Sequence, residues 1–175
     1  PGHRDALRNM AELLRKEDRL EEALAHYEEA VSGQPGDVAS HNDRGVVLFE
    51  LDRSNEAILA FRHGLSLDAG FADLHLNMGN VLCATGDPQA GIVAFTRVLA
   101  LDGNGAEALA NLALAQRQTG DMENSVATYR RALEEDPHHE EARFGLGTCR
   151  LLTGHFREGW QGYHARESMR DADAG

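Results

Sequence analysis

Residues 72–105 read ADLHLNMGNVLCATGDPQAGIVAFTRVLALDGNG, a 34-residue stretch that is one copy of a unit recurring along the chain. Two segments with helical apolar spacing flank its centre. Gly86 stands where the first helix must stop and suits a left-handed terminal residue. Asp87 is expected to cap the second helix, and Pro88 to occupy its first turn. The stretch therefore predicts two antiparallel helices joined by a tight turn.

This unit fits the chain five times from Arg4 without insertion or deletion. Position 8 of each copy is small, and position 24 is always aromatic, which places five of the ten aromatic residues at one phase. The predicted repeats are 4–37, 38–71, 72–105, 106–139 and 140–173, with 1–3 and 174–175 as flanking residues. The small residues are Ala11, Gly45, Gly79, Ala113 and Gly147, and the aromatic ones are Tyr27, Phe61, Phe95, Tyr129 and Tyr163.

A single hairpin of this kind cannot bury both of its apolar faces, so neighbouring copies must stack. The pattern of small and aromatic positions resembles the tetratricopeptide repeat family over residues 4–173. The resemblance implies an all-α fold, a right-handed α-solenoid of antiparallel helix hairpins. It also implies that the first helix of each repeat, helix A, lines a concave groove and that the second, helix B, lies on the convex side.

Composition limits the classes of partner. The net charge of −12 disfavours nucleic acid and anionic membrane surfaces. No stretch has the roughly 18 apolar residues needed to span a bilayer, and the start shows no signal peptide. The two cysteines, Cys83 and Cys149, fit a reducing compartment and are expected to be packing residues. These features favour a cytoplasmic protein.

The resemblance implies that positions 2, 5, 6, 9, 12 and 13 of helix A face the groove. Position 6 carries asparagine in three copies, and a carboxamide can both donate to and accept from the backbone of an extended peptide. A similar ladder occurs in the protein O-linked N-acetylglucosamine transferases, and Asn77 with Asn111 is the best pair here. The alternative is that these asparagines serve helix packing alone. The predicted peptide-binding residues are Asn9, Asn42, Asp43, Phe49, Leu76, Asn77, Asn80, Asn111, Leu114, Arg117 and Phe144.

The first copy differs, because Arg8, Arg15 and Lys16 share its groove side with Asp5 and Glu12. These charges form either a cationic entrance for an acidic segment or a solvated face of mutual ion pairs. The carboxylate clamp found in some members of the family is not predicted, because no frame of consecutive copies supplies its set of cations and asparagines.

Catalytic and metal-binding residues are not predicted. His138 and His139 lie in a turn between repeats, and the other histidines share no phase and have no partner at ligand spacing. No phosphate-binding loop or nucleophile motif occurs. We therefore expect no enzyme activity, no cofactor and no metal.

The C-terminal run 154–166, GHFREGWQGYHAR, resembles the last repeat of bacterial proteins whose arrays lead into a glycosyltransferase-like domain. In that case Trp160 packs on such a downstream domain; alternatively it only closes the last hairpin. The leading hypothesis is a protein-interaction module that holds an extended segment of an unidentified partner. The alternatives are a substrate-presenting arm of a larger transferase and a scaffold that self-associates through its ends.

Overall fold

The computed structural model describes residues 2–102 and 105–163. Within these ranges the chain is all-α and contains no strand, which confirms the predicted fold class. The helices are α1 (Gly2–Lys16), α2 (Leu20–Gly33), α3 (Val38–Glu50), α4 (Ser54–Leu67), α5 (Ala72–Ala84), α6 (Pro88–Asp102), α7 (Ala106–Gln118), α8 (Met122–Glu135), α9 (Glu140–Leu152) and α10 (Phe156–Tyr163). The end of the fifth predicted repeat, residues 164–173, lies outside the described residues.

The helices keep the period of the sequence. Helices α4, α6, α8 and α10 begin at Ser54, Pro88, Met122 and Phe156, which are 34 residues apart. Each odd-numbered helix packs against the even-numbered helix that follows it within a unit, as an antiparallel hairpin requires. Odd-numbered helices are therefore helix A of the repeats, and even-numbered helices are helix B.

One residue in the left-handed region lies two residues after the end of each odd-numbered helix. Gly86 has φ of 90°, as predicted for a residue that ends a helix, and Gly120 and Gly154 have φ of 84° and 85°. In the first two copies the same position is held by Asp18 and Asp52, each with φ of 60°. Aspartate tolerates this region better than most residues with a Cβ, so the same turn forms without glycine.

The chain divides into two compact units, Pro1–Thr85 and Gly86–Gly175, and each is described by itself. The core of the first unit contains the position-24 residues Tyr27 and Phe61, both almost fully buried, together with Val47 and Leu74. The core of the second unit is built in the same way around Tyr129 and includes Leu109, Ala113, Leu146 and Cys149.

Gly45 shows why position 8 must be small. A Cβ on Gly45 would lie 2.7 Å from Cδ1 of Phe61. The aromatic ring of a repeat thus fills the space that a side chain at position 8 of the same repeat would need. The small residue at position 8 and the aromatic residue at position 24 therefore pack directly against each other.

His41 gives the first unit a pH-dependent stability. The ring is 2% exposed, its Nε2 lies 2.8 Å from the carbonyl oxygen of Pro35, and the His63 ring lies 4.4 Å away between centroids. Burial lowers the pKa of His41 below its ordinary value of 6.5, and the neighbouring His63 adds to this, although the bond to Pro35 opposes it. The folded state therefore favours neutral His41.

We expect the free energy of unfolding to be fully present above about pH 6.5 and to fall as the pH drops through the lowered pKa of His41. Below that pKa both states carry the proton, and the loss is complete. Urea unfolding measured between pH 7.5 and pH 5 checks this. In the His41→Gln variant the decrease over this range should become shallower, and an unchanged slope would contradict the assignment.

Candidate functional site

The helix-A face of the first unit is closed by side-chain pairs between successive repeats. Arg8 donates to one carboxylate oxygen of Asp43 from Nε at 2.9 Å and from Nη2 at 2.6 Å. Asn77 donates from Nδ2 to Oδ1 of Asn42 at 2.9 Å. Each pair joins residues 35 positions apart, position 5 of one repeat with position 6 of the next. The amide of Asn77 is therefore already engaged within the protein.

The basic residues of the first repeat are also paired. Arg15 donates to Glu12 at 3.0 and 3.1 Å and to Glu50 at 2.7 Å, while Nζ of Lys16 lies 3.6 Å from Glu12. Hydrogen bonding to Arg15 lowers the pKa of Glu12. Of the two interpretations of this face, the structure favours mutual ion pairing over a cationic entrance.

A pocket of about 420 Å³ remains between these pairs, and we call it the first-unit pocket. Tyr27 forms its floor and is 2% exposed. Burial raises the pKa of Tyr27, and the charges of Asp43 and Glu12 add to the rise. The lining residues are Asp5, Arg8, Asn9, Glu12, Tyr27 and Asp43.

A second pocket, of about 330 Å³, lies on the helix-A face of the other unit, and we call it the second-unit pocket. Helices α7 and α9 form its two sides, and Tyr129 of α8 forms its floor. Its surface combines an amide, a cation, an acid and two apolar side chains. The lining residues are Ala110, Asn111, Leu114, Arg117, Tyr129, Glu141, Phe144 and Gly145.

The second-unit pocket exists because small residues stand at the positions whose long side chains bridge successive repeats in the first unit. Ala110 and Gly145 occupy positions 5 and 6 of successive repeats, the positions of Arg8 and Asp43. A Cβ on Gly145 would lie 2.5 Å from the hydroxyl oxygen of Tyr129 and 2.6 Å from its Cε1. The glycine therefore lets the phenol of Tyr129 reach the floor of the pocket.

The polar groups of this pocket have few partners. Within the described ranges the carboxamide of Asn111 makes no hydrogen bond, and Nε of Arg117 is buried without one. Burial raises the pKa of Tyr129 to about 12, while the nearby guanidinium of Arg117 opposes the rise. The phenol and the guanidinium are therefore close neighbours.

Aromatic rings extend the wall beyond Phe144. The ring of Tyr163 packs against Phe144 with centroids 5.2 Å apart, and Trp160 meets Tyr163 edge-on at 5.5 Å. Trp160 is 51% exposed and Phe156 is 63% exposed. The last hairpin thus presents an aromatic surface next to the second-unit pocket. Of the C-terminal run, residues 164–166 lie outside the described residues.

Four of the predicted site residues meet in the second-unit pocket: Asn111, Leu114, Arg117 and Phe144. Asn9 and Asp43 line the first-unit pocket. Asn42 and Asn77 bind each other, Phe49 packs against the core of the first unit, and Leu76 and Asn80 are half-buried on α5. Asn77 and Asn111, the predicted best pair, belong to different units.

Tyr129, Glu141 and Gly145 were not predicted as site residues. One available signal was the choice of tyrosine at position 24, since Tyr27, Tyr129 and Tyr163 stand where the other two copies carry phenylalanine. A phenylalanine at this position needs no polar partner, whereas a buried phenol needs one. Two of these three tyrosines, Tyr27 and Tyr129, line the two pockets of the helix-A face.

Other classes of site find no support in the same residues. No set of three His, Cys, Asp or Glu side chains in residues 2–102 and 105–163 is placed to hold a metal ion. None of the described helices has the length and apolarity to cross a membrane. Cys83 and Cys149 are not joined by a disulfide, and the buried Sγ of Cys149 lies 3.5 Å from Oγ of Ser125.

Sequence comparison finds one family. The model described as tetratricopeptide repeat matches residues 2–70 and 76–140. No curated protein matches the chain.

Solved structures share the fold at low sequence identity. MamA 41-end from Desulfovibrio magneticus RS-1 is 20% identical with a TM-score of 0.84, covering 99% of this chain and 98% of that one. PilW, described as a widely conserved type IV pilus biogenesis factor, is 20% identical with a TM-score of 0.86 over 94% of this chain and 78% of its own. YrrB, described as a TPR protein with an unusual peptide-binding site, is 22% identical with a TM-score of 0.71 over 91% and 82%.

Proposed function

Since the chain belongs to the tetratricopeptide repeat family, we propose that it is a protein-interaction module that binds an extended segment of a partner protein on its helix-A face. Proteins of this fold typically act as interaction modules rather than enzymes. In this proposal the partner is bound by the repeats predicted from the sequence, residues 4–173. The protein is proposed to be cytoplasmic, because its two cysteines are too few for a disulfide framework.

The observation that carries the proposal is the second-unit pocket. It joins an amide without a hydrogen-bond partner among the described residues, Asn111, to the apolar side chains of Leu114 and Phe144. An extended peptide needs both kinds of contact, because amides hold its backbone and apolar pockets receive its side chains. YrrB, whose description includes a peptide-binding site, shares the fold, which is compatible with such a role.

Asn77 has a different part in the proposal. Its bond to Asn42 joins α5 to α3 and uses one of its N–H donors, whereas Asn111 makes no such bond among the described residues. Of these asparagines, Asn111 is the one proposed to bind the ligand. The other predicted groove residues, Asn9, Asn42, Asp43, Phe49, Leu76, Asn77 and Asn80, are proposed as secondary contacts.

A peptide-binding experiment tests this function. A random dodecapeptide library displayed on phage is selected on the full chain, and the affinities of the selected peptides are measured by fluorescence anisotropy. In Asn111→Ala we expect a loss of about 5- to 30-fold, because one or two backbone hydrogen bonds of about 1 kcal/mol each are removed. In Leu114→Ala with Phe144→Ala we expect a larger loss.

The matched control is Gln118→Ala. Gln118 is an exposed amide on the same helix, outside the pocket lining, and its removal should leave affinity unchanged. Two results would remove this face from the proposed function. One is that the wild-type chain selects no peptide, and the other is that Asn111→Ala and the double variant both bind the selected peptides as tightly as the wild type.

The remaining alternatives keep the status of hypotheses. The match to the family ends at residue 140, before the repeat that resembles arrays leading into glycosyltransferase-like domains. That resemblance gains no support from the comparisons. Self-association through the ends is likewise a prediction.

A further inference from the structure

Two arginines occupy the same position of their repeats in different surroundings. Arg15 and Arg117 both stand at position 12 of helix A. The carboxylates that bind Arg15 are Glu12, at position 9 of its own repeat, and Glu50, at position 13 of the next. In the second unit these two positions are Leu114 and Leu152. Both acidic partners of the arginine have thus been exchanged for leucine.

Arg117 has no acidic partner within the residues that the structure describes. None of its nitrogens lies within ion-pair distance of a carboxylate there, and its Nε is buried without a hydrogen bond. The residue as a whole is half-buried, so the cost falls on this one N–H group, and it is recovered when an anion supplies the missing bond. Nε of Arg44 is also buried without a hydrogen bond, but Arg117 differs in that it lines a pocket.

Two further polar groups lie in the same pocket. The phenol of Tyr129 is 2% exposed, and the guanidinium of Arg117 beside it acts on its oxygen, which leaves the phenol proton to be donated elsewhere. No acceptor for that proton is found in the described part of the chain. The amide of Asn111 offers two more N–H donors. A guanidinium whose Nε has no hydrogen bond, a phenol and an amide therefore line one cavity of about 330 Å³, and together they have more N–H and O–H donors than acceptors among the described residues.

We infer that the second-unit pocket recognises the side-chain carboxylate of an Asp or Glu in the partner segment, next to an apolar side chain that contacts Leu114 and Phe144. A carboxylate accepts from a planar guanidinium fork and from neighbouring hydroxyl and amide groups at once. The inference rests on the proposed function and specifies the class of segment that is bound.

A single negative charge fits this pocket better than a phosphate. Glu141 lies on its rim, and its side chain is 76% exposed. Its carboxylate repels a dianion more strongly than a monoanion, and one arginine can balance only one charge. A phosphorylated segment is accordingly not the expected ligand.

The test uses the peptides selected on the full chain and, for each, a copy in which the acidic residue is replaced by its amide. We expect the selected set to be enriched in Asp or Glu beside Leu, Ile, Phe or Met. The acidic form should bind about 10-fold or more tightly than the amide form, because a hydrogen bond to a charged group is worth more than a neutral one. This preference should shrink at high salt.

The variant Arg117→Gln should bind both forms equally, and Arg117→Lys should retain part of the preference because it keeps the charge without the fork. Arg130→Gln makes the same change of charge at an exposed position of α8 outside the pocket, and it should leave the preference intact. Circular dichroism establishes that each variant is folded.

The outcomes separate the two proposals. Peptides that depend on Leu114 and Phe144 but show no acidic preference, or whose preference survives Arg117→Gln, would overturn this inference and leave the proposed function standing. Failure of the wild-type chain to select any peptide would overturn both. Each selected peptide is also made with phosphoserine in place of its acidic residue. Tighter binding of the phosphoserine form than of the acidic form would show that the pocket does not recognise a carboxylate.

Discussion

Replacing Phe61 with alanine is expected to lower the free energy of unfolding by about 3–5 kcal/mol, the range for deleting a fully buried aromatic ring. The side chain is 0% exposed, and its ring rests on Gly45, where no side chain can fill the cavity. The surrounding helices are held by the neighbouring hairpins and can collapse only in part. Urea unfolding followed by circular dichroism measures the loss.

Phe156→Ala is the matched control for this measurement. It removes the same ring from a position that is 63% exposed, and a change within about 0.5 kcal/mol is expected. A loss below about 1 kcal/mol for Phe61→Ala, or equal losses for the two variants, would mean that position 24 is not the packing centre of its repeat.

Gly147→Ala is expected to disrupt the last hairpin. A Cβ at this position would lie 2.7 Å from the backbone nitrogen of Tyr163 and 2.8 Å from the carbonyl carbon of Gly162. Main-chain atoms cannot rotate away as a side chain can, so α10 must move off α9. Overpacking of this kind costs about 1–3 kcal/mol, and it outweighs the helix propensity gained by alanine.

The control is Gly33→Ala, since a Cβ on Gly33 would meet no atom within 4 Å. This helical glycine should gain up to about 1 kcal/mol of stability on the same substitution. Opposite signs of the two changes in urea unfolding are the expected result. A stabilising effect at Gly147 would show that the close approach of α9 and α10 does not limit the fold.

The hairpins were predictable from the sequence because their signals are local. Small residues at position 8, aromatic residues at position 24 and turn glycines each act within one repeat, and their recurrence leaves little choice of helix boundaries. The turns at Asp18 and Asp52 were not assigned, because a pattern that looks for glycine misses an aspartate in the left-handed region.

The candidate site was predictable only in part. Asn111, Leu114, Arg117 and Phe144 were placed on one face by the repeat phase, and the structure gathers them in one pocket. Phase alone did not distinguish Asn111 from Asn77, although one amide has no hydrogen bond among the described residues and the other is bonded to Asn42. That difference depends on which side chain the adjacent repeat places 35 residues away.

The sequence by itself determined that this chain folds into helical hairpins of 34 residues and which positions of each helix A share a face. Only the tertiary structure decided which groups on that face are left for a ligand, because partners from adjacent helices fill or empty each position. Arg15 binds two carboxylates, whereas the positions equivalent to these carboxylates carry leucine in the repeats around Arg117, and Gly145 leaves space above Tyr129. Such contacts depend on the size and reach of side chains across a helix interface, which a periodic pattern does not encode.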